Sequence, residues 1–137
     1  MKKCKIIMNP HSGKKKKTNY RALYDILRKH GYDGEILYTK AAKDATKIVE
    51  ELPDDIDLVI SAGGDGLANE VAQGLVGSDK FFSVLPFGTA NVFANEFGID
   101  LDPIKASKKL DINNKKKISI GIIDKKIFLL MVGFGYD

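Results

Sequence analysis

Val59-Ile60-Ser61-Ala62-Gly63-Gly64-Asp65-Gly66-Leu67-Ala68-Asn69-Glu70 runs from a β-branched apolar segment through glycines into a helix-forming stretch. The first part has the length and composition of a buried strand. The glycines Gly63, Gly64 and Gly66 predict a sharp turn in which backbone N–H groups approach an anion that any Cβ would hinder. Asp65, held within that turn, can orient a metal or a hydroxyl beside a phosphate. A strand, a glycine turn carrying an acid and a helix N-terminus form a phosphate-holding arrangement of α/β proteins. The same residues also describe a plain strand-to-helix turn with a capping Asp. Two further segments favour the anion reading.

Asn9-Pro10-His11-Ser12-Gly13-Lys14 follows the apolar strand at residues 4–8. Pro10 lacks a donor and fixes φ, so the strand ends there. Ser12 and Gly13 offer a hydroxyl and an unhindered N–H, and Lys14 opens a lysine run that ends at Lys17. A solvated surface loop is the plainer account of such a run. Pro86-Phe87-Gly88-Thr89-Ala90-Asn91 follows the strand-like residues 81–85. Gly88 and Thr89 there stand at the start of a short helix, where N–H groups face outward. A Thr N-cap without a ligand is the alternative. Three strands each ending in a donor-rich loop make a stronger pattern, because the carboxyl ends of an open parallel sheet share one edge where ligands bind.

The 137 residues, 44% of them hydrophobic, suit one domain with its own core. No stretch approaches the ~20 apolar residues that cross a bilayer. The apolar run after Met1-Lys2-Lys3 is too short for a signal peptide and reads as a strand. The single cysteine, Cys4, excludes an internal disulfide and suits a reducing, cytoplasmic setting. Its place in the first strand makes it a packing residue.

The formal charge of +4 is unevenly spread. Lys2, Lys3, Lys5 and the run from Lys14 to Lys17 are unbroken by any acid, and residues 105–117 set Asp111 against a second group of lysines. Such patches attract phosphate, anionic lipid or nucleic acid. Nucleic acid is the weakest of these, since there is no basic helix, no aromatic-and-basic strand pattern and no zinc-ligand spacing. His11 and His30 alone do not build a metal site.

Apolar positions at Tyr20, Leu23, Tyr24 and Leu27 predict a first helix that Gly31 stops. Asp33-Gly34 reads as the turn into a strand at residues 35–39. Ala41, Ala45, Ile48, Val49 and Leu52 mark a second helix closed by Pro53, and Ala68, Val71, Ala72 and Leu75 a third. A short helix near Gly98, a helix opened by Asp102-Pro103, and strands at 117–123 and 126–132 flanking Asp124-Lys125 complete the order. Strand and helix alternate through residue 111, which predicts an α/β fold: a mostly parallel sheet with helices on both faces. The ending, Gly133-Phe134-Gly135-Tyr136-Asp137, reads as a loop that normally leads into a further domain.

Taken together, the segments resemble the catalytic domain of the diacylglycerol kinase family, which includes bacterial lipid kinases and the sphingosine and ceramide kinases. The residues that carry the resemblance are Asn9-Pro10-x-Ser12-Gly13, Gly63-Gly64-Asp65-Gly66-x-x-Asn69-Glu70-Val71, Pro86-x-Gly88-Thr89-Ala90-Asn91 and Gly133-x-Gly135-x-Asp137. The glycine-acid turn is shared with NAD kinases and phosphofructokinases, whereas Pro-x-Gly-Thr-Ala-Asn favours the lipid kinases. The resemblance implies that residues 1–137 form an N-terminal nucleotide-binding domain, and that a β-rich C-terminal domain carries the general base and the lipid contacts. It implies ATP and Mg²⁺ as cofactors. Asn9, Pro10, Ser12, Gly13 and Lys14 would lie at the nucleotide phosphates. Thr39, the segment from Gly63 and Gly64 through Gly66, Asn69 and Glu70, and the trio Gly88, Thr89 and Asn91 would complete the nucleotide site, with Asp65 organising metal and phosphate.

The chain departs from the family pattern at Leu67 (often Thr), Val92 (often Asp), Asn95 (often Arg) and Ser119 (often an acid). The resemblance thus implies a cytoplasmic enzyme working peripherally at a membrane surface, moving the ATP γ-phosphate to a diacylglycerol-like or sphingoid-like hydroxyl. The isolated segment would be inactive. Its uncovered seam near residues 129–134 would favour a dimer or aggregate. An NAD kinase-like enzyme and a non-catalytic nucleotide-binding module are the competing readings.

Overall fold

The computed structural model describes residues 1–10, 20–86, 120–123 and 126–129. The elements alternate as the apolar pattern requires: β1 (Lys2–Met8), α1 (Tyr20–Lys29), β2 (Tyr32–Tyr38), α2 (Asp44–Glu50), β3 (Leu58–Gly63), α3 (Asp65–Gly74) and β4 (Phe81–Pro86). A separate antiparallel pair, β5 (Ile120–Ile123) and β6 (Lys126–Leu129), follows. The backbone of β6 passes alongside α3. The expected helices near Gly98 and after Asp102-Pro103 lie outside the described residues, as do 117–119, 130–132 and the Asp124-Lys125 connection.

The four-stranded sheet has the order β2-β1-β3-β4, and every pairing in it is parallel. The chain steps from β1 to β2 in one direction, then crosses back over β1 to β3 and on to β4. Right-handed crossovers therefore require α1 on one face and α2 with α3 on the other. The two cores obey this. Cys4, Ile6, Met8, Leu58, Ile60 and Ala62 pack with Leu23 and Leu27 of α1. Ile7 and Val59 point the opposite way, toward Ala45 and Val49 of α2 and Val71 of α3. Strands covered on both faces read as continuous apolar runs, which is why β3 is buried along its whole length.

Two boundaries differ from the sequence expectation. The turn into β2 is Gly31, in the left-handed region at φ 85°, and not Asp33-Gly34. Gly34 lies inside the strand, opposite Cys4. A Cβ on it would stand 2.9 Å from Leu27 Cδ1, so glycine is what lets α1 settle on β2. The second helix starts at Asp44, leaving Ala41 exposed in the preceding loop. The stripe itself is real, because Ala45 and Val49 are buried and Ile48 and Leu52 pack beside them.

Candidate functional site

The registers bring the strand ends to one edge. Met8 pairs with Tyr38 and with Ala62, and Gly63 pairs with Pro86. Asn9, Thr39 and Gly64 therefore all leave the sheet on the same side. The direction in which strands are added reverses between β1 and β3, which run parallel, so Asn9-Pro10 and Gly64-Asp65 flank the topological switch point where open α/β sheets bind ligands. Thr39 is buried, and its N–H donates to the Met8 carbonyl at 2.9 Å, which extends the β1–β2 ladder by one step.

At the end of β3 the backbone differs from a glycine turn. The strand continues through Gly63 and the helix begins at Asp65, with only Gly64 between them in an extended conformation (φ −91°, ψ −171°). None of Gly63, Gly64 and Gly66 has a left-handed φ. Their smallness serves space instead. A Cβ on Gly63 would lie 2.6 Å from Leu67 Cδ2, so this glycine lets the first turn of α3 fold down onto the strand. Among the described residues, nothing beyond its chain neighbours and its own helix backbone lies within 4 Å of a Cβ placed on Gly66. Packing does not demand glycine there, and the exposed backbone is open to approach from outside.

The first intrahelical bond of α3 runs from the Ala68 N–H to the Gly64 carbonyl at 3.1 Å. The N–H groups before it belong to the first turn, which intrahelical bonding leaves without partners. Gly64 has no side chain to cap them. Together with the helix dipole they form an anion-attracting end at the switch point. Asp65 is the first helical residue and is half-buried, which puts a carboxylate at the rim of that end. Among the described residues no three His, Cys, Asp or Glu side chains converge as a metal cage. A carboxylate beside a helix N-terminus suits Mg²⁺, which is commonly held by one or two carboxylates plus phosphate oxygens and water.

Asn69 and Glu70 lie further along α3. Glu70 is partly buried and turns toward the loop before α2. Burial raises its pKa, the Lys43 backbone N–H that hydrogen-bonds it opposes the rise, and the nearby Asp44 charge adds to it. Sequence reasoning missed this link, because nothing in the spacing of residues 43 and 70 announces it. Ser12, Gly13, Lys14, Gly88, Thr89 and Asn91 lie outside the described residues, as do Val92, Asn95 and Ser119. A cleft of about 560 Å³, lined in part by Val49, Leu52, Gly74 and Val76, lies at the opposite edge and draws on none of the motif residues.

The fold is thus a doubly wound α/β domain whose strand ends gather at one edge. The diacylglycerol kinase catalytic domain matches residues 3–123, and the chain belongs to that family. It is 36% identical to a diacylglycerol kinase of Bacillus subtilis over 142 aligned residues, which cover 98% of this chain and 46% of that protein. A diacylglycerol kinase of Staphylococcus carnosus is 32% identical, with 98% and 45% covered. The crystal structure of a diacylglycerol kinase from Bacillus anthracis superimposes with a TM-score of 0.75 at 27% identity, over 93% of this chain and 45% of that one. The chain spans about half the length of the curated relatives it matches. Among the described residues no helix is long and apolar enough to cross a membrane.

Proposed function

We propose that this chain is the nucleotide-binding domain of an ATP-dependent lipid kinase that phosphorylates a diacylglycerol-like or sphingoid-like hydroxyl. The observation that carries the reading is the edge itself: the uncapped first turn of α3, with Gly66 open beside it, stands next to the end of β1 in a member of the diacylglycerol kinase family. In this reading the N–H groups at the start of α3 receive phosphate oxygens, and Asp65 takes Mg²⁺. Asn9, Pro10, Ser12, Gly13 and Lys14 border the phosphates. Thr39, Gly63, Gly64, Asn69, Glu70, Gly88, Thr89 and Asn91 line the rest of the nucleotide. Bound Mg-ATP supplies the transferable phosphoryl group, and the protein contributes position and charge neutralisation.

No residue among those described is placed to deprotonate a lipid hydroxyl. The reading accordingly assigns the base and the acceptor pocket to a second domain of the whole protein. The lysines of residues 14–17 and 105–117 would hold that protein on anionic lipid, near-surface lysines contributing ~1 kcal/mol each.

Calorimetry of the chain with Mg-ATP tests the assignment. Binding is expected, with most of its metal dependence lost in Asp65→Asn; an unchanged affinity in that variant would overturn the role of Asp65. Supplying the full-length protein with dispersed diacylglycerol or with NAD separates lipid kinase from NAD kinase chemistry. The 137-residue chain alone should phosphorylate neither, and turnover of diacylglycerol by it would show that the base lies within this chain.

A further inference from the structure

The loop from β2 into α2 stands at the shared edge of strand ends and forms a basic tip. Lys40, Ala41, Ala42 and Lys43 are all exposed, and Lys47 is exposed one turn along α2. Three hydrogen bonds pin this tip. The Thr39 N–H donates to the Met8 carbonyl at 2.9 Å, the Lys40 N–H to Asp44 Oδ2 at 2.8 Å, and the Asp44 N–H to the Ala41 carbonyl at 3.3 Å. Lys43, at φ 66° and ψ 1°, makes the left-handed turn into the helix. Among the described residues none of these three lysines is in an ion pair, whereas Lys3 and Lys5 are paired with Asp55 and Glu35. The far end of α2 has the opposite sign. Glu50, Glu51, Asp54 and Asp55 are exposed there, and residues 50–57 contain no lysine or arginine.

We propose that Lys40, Lys43 and Lys47 are the surface by which this domain meets an anionic lipid bilayer, and that the contact turns the edge of strand ends toward the membrane. The inference rests on the lipid-kinase reading and deepens it by naming the contact and the orientation. Lysine ammonium groups are compact point charges that suit the phosphodiester headgroups of a charged bilayer. Ala41 and Ala42 between them add no bulk and no charge, so the tip can approach closely. The tip is tied to β1 on one side and to α2 on the other, so a surface that holds it also aligns the sheet. With the tip on the bilayer, Asn9 and Gly64 leave the sheet on the membrane side. The acids at the far end of α2 then stand about one strand length away, ~20 Å for the seven residues of β2. That exceeds twice the Debye length of ~8 Å at physiological salt, so the bilayer does not repel them. Turned over, the domain would press those acids against the headgroups. Arg28 and Lys29, at the end of α1, share that far edge, where the acids offset their attraction.

Vesicles of phosphatidylglycerol and phosphatidylcholine are the probe, used without nucleotide. The 137-residue chain should bind them and should not bind vesicles of phosphatidylcholine alone. Replacing Lys40→Gln together with Lys43→Asn, a residue that tolerates the left-handed region, should weaken binding about tenfold. The equal loss of charge in Arg28→Gln with Lys29→Gln should stay within about twofold of the parent. A polarity-sensitive fluorophore on Ala42→Cys should shift to the blue on the vesicles, and one on Asp54→Cys should not; Cys4 is buried and takes no label. Equal weakening by the two pairs would mean that binding follows net charge alone, and would overturn the proposal. Failure of the parent to bind the anionic vesicles, or a larger shift at residue 54 than at residue 42, would overturn it as well. The expected vesicle results from a chain that binds no Mg-ATP would uphold the surface and overturn the nucleotide reading instead.

Discussion

Gly74 lies so close to Val49 that a Cβ added to it would stand 2.8 Å from Val49 Cβ and 2.7 Å from the Thr46 carbonyl oxygen. It is the last residue of α3, and α2 crosses it at the distance that only a bare backbone permits. One of the two clashing atoms is backbone and the other is a β-carbon, so neither can swing aside. Gly74→Ala should therefore separate the two helices and destabilise the fold by ~1–3 kcal/mol, as overpacking does. Urea unfolding of parent and variant checks this, and equal midpoints would show that the helices can part without cost.

Gly66 should behave in the opposite way. Its missing Cβ faces open space among the described residues, and its φ is not left-handed. Ala there should leave stability unchanged or raise it by ~0.4–1 kcal/mol, because it restricts the unfolded chain. In the proposed reading the same methyl group stands where a phosphate approaches the backbone, so Mg-ATP affinity should fall while the melting temperature does not. Parallel calorimetry and thermal unfolding of Gly66→Ala separate the two effects.

Much of this was legible in the sequence, and the failures have a common cause. The three helical stripes are periodic in apolar residues and the buried strands are continuous apolar runs, and both patterns survive in a one-dimensional string. The direction in which Gly31 and Gly34 act does not. Both look like turn residues, yet one supplies a left-handed φ and the other clears room for Leu27, a residue brought near only by the packing of α1. Gly63, Gly64 and Gly66 were legible as a strand-to-helix junction but not in their separate uses. The contact of Glu70 with Lys43 belongs wholly to the tertiary fold.

Cys4 is buried in the middle of β1, and burial pushes its thiol up to about 12, with Lys5 opposing the rise. The thiolate is the reactive form. A thiol reagent at neutral pH should leave the native chain unmodified over the time in which the urea-unfolded chain reacts fully. Rapid labelling without denaturant would show that β1 opens.

Ser61 Oγ is fully buried on β3 and has no hydrogen-bond partner among the described residues. An unsatisfied buried hydroxyl costs ~1–3 kcal/mol, so Ser61→Ala should be neutral or stabilising by ~1 kcal/mol. Denaturant unfolding gives the answer, and a clear loss of stability would mean that the hydroxyl has a partner, such as an internal water.

The strand order places β1 between β2 and β3. The earliest of these four strands along the chain is thus one that must be bordered on both sides, and its second partner, β3, ends at Gly63. β1 has to wait for roughly that much chain to emerge before its second edge is covered. Such distant pairings raise contact order and slow folding. During that interval the apolar residues Ile6, Ile7 and Met8 have neither core to enter. The nascent chain is then most exposed to mispairing or to capture by chaperones, well before the shared edge of strand ends exists.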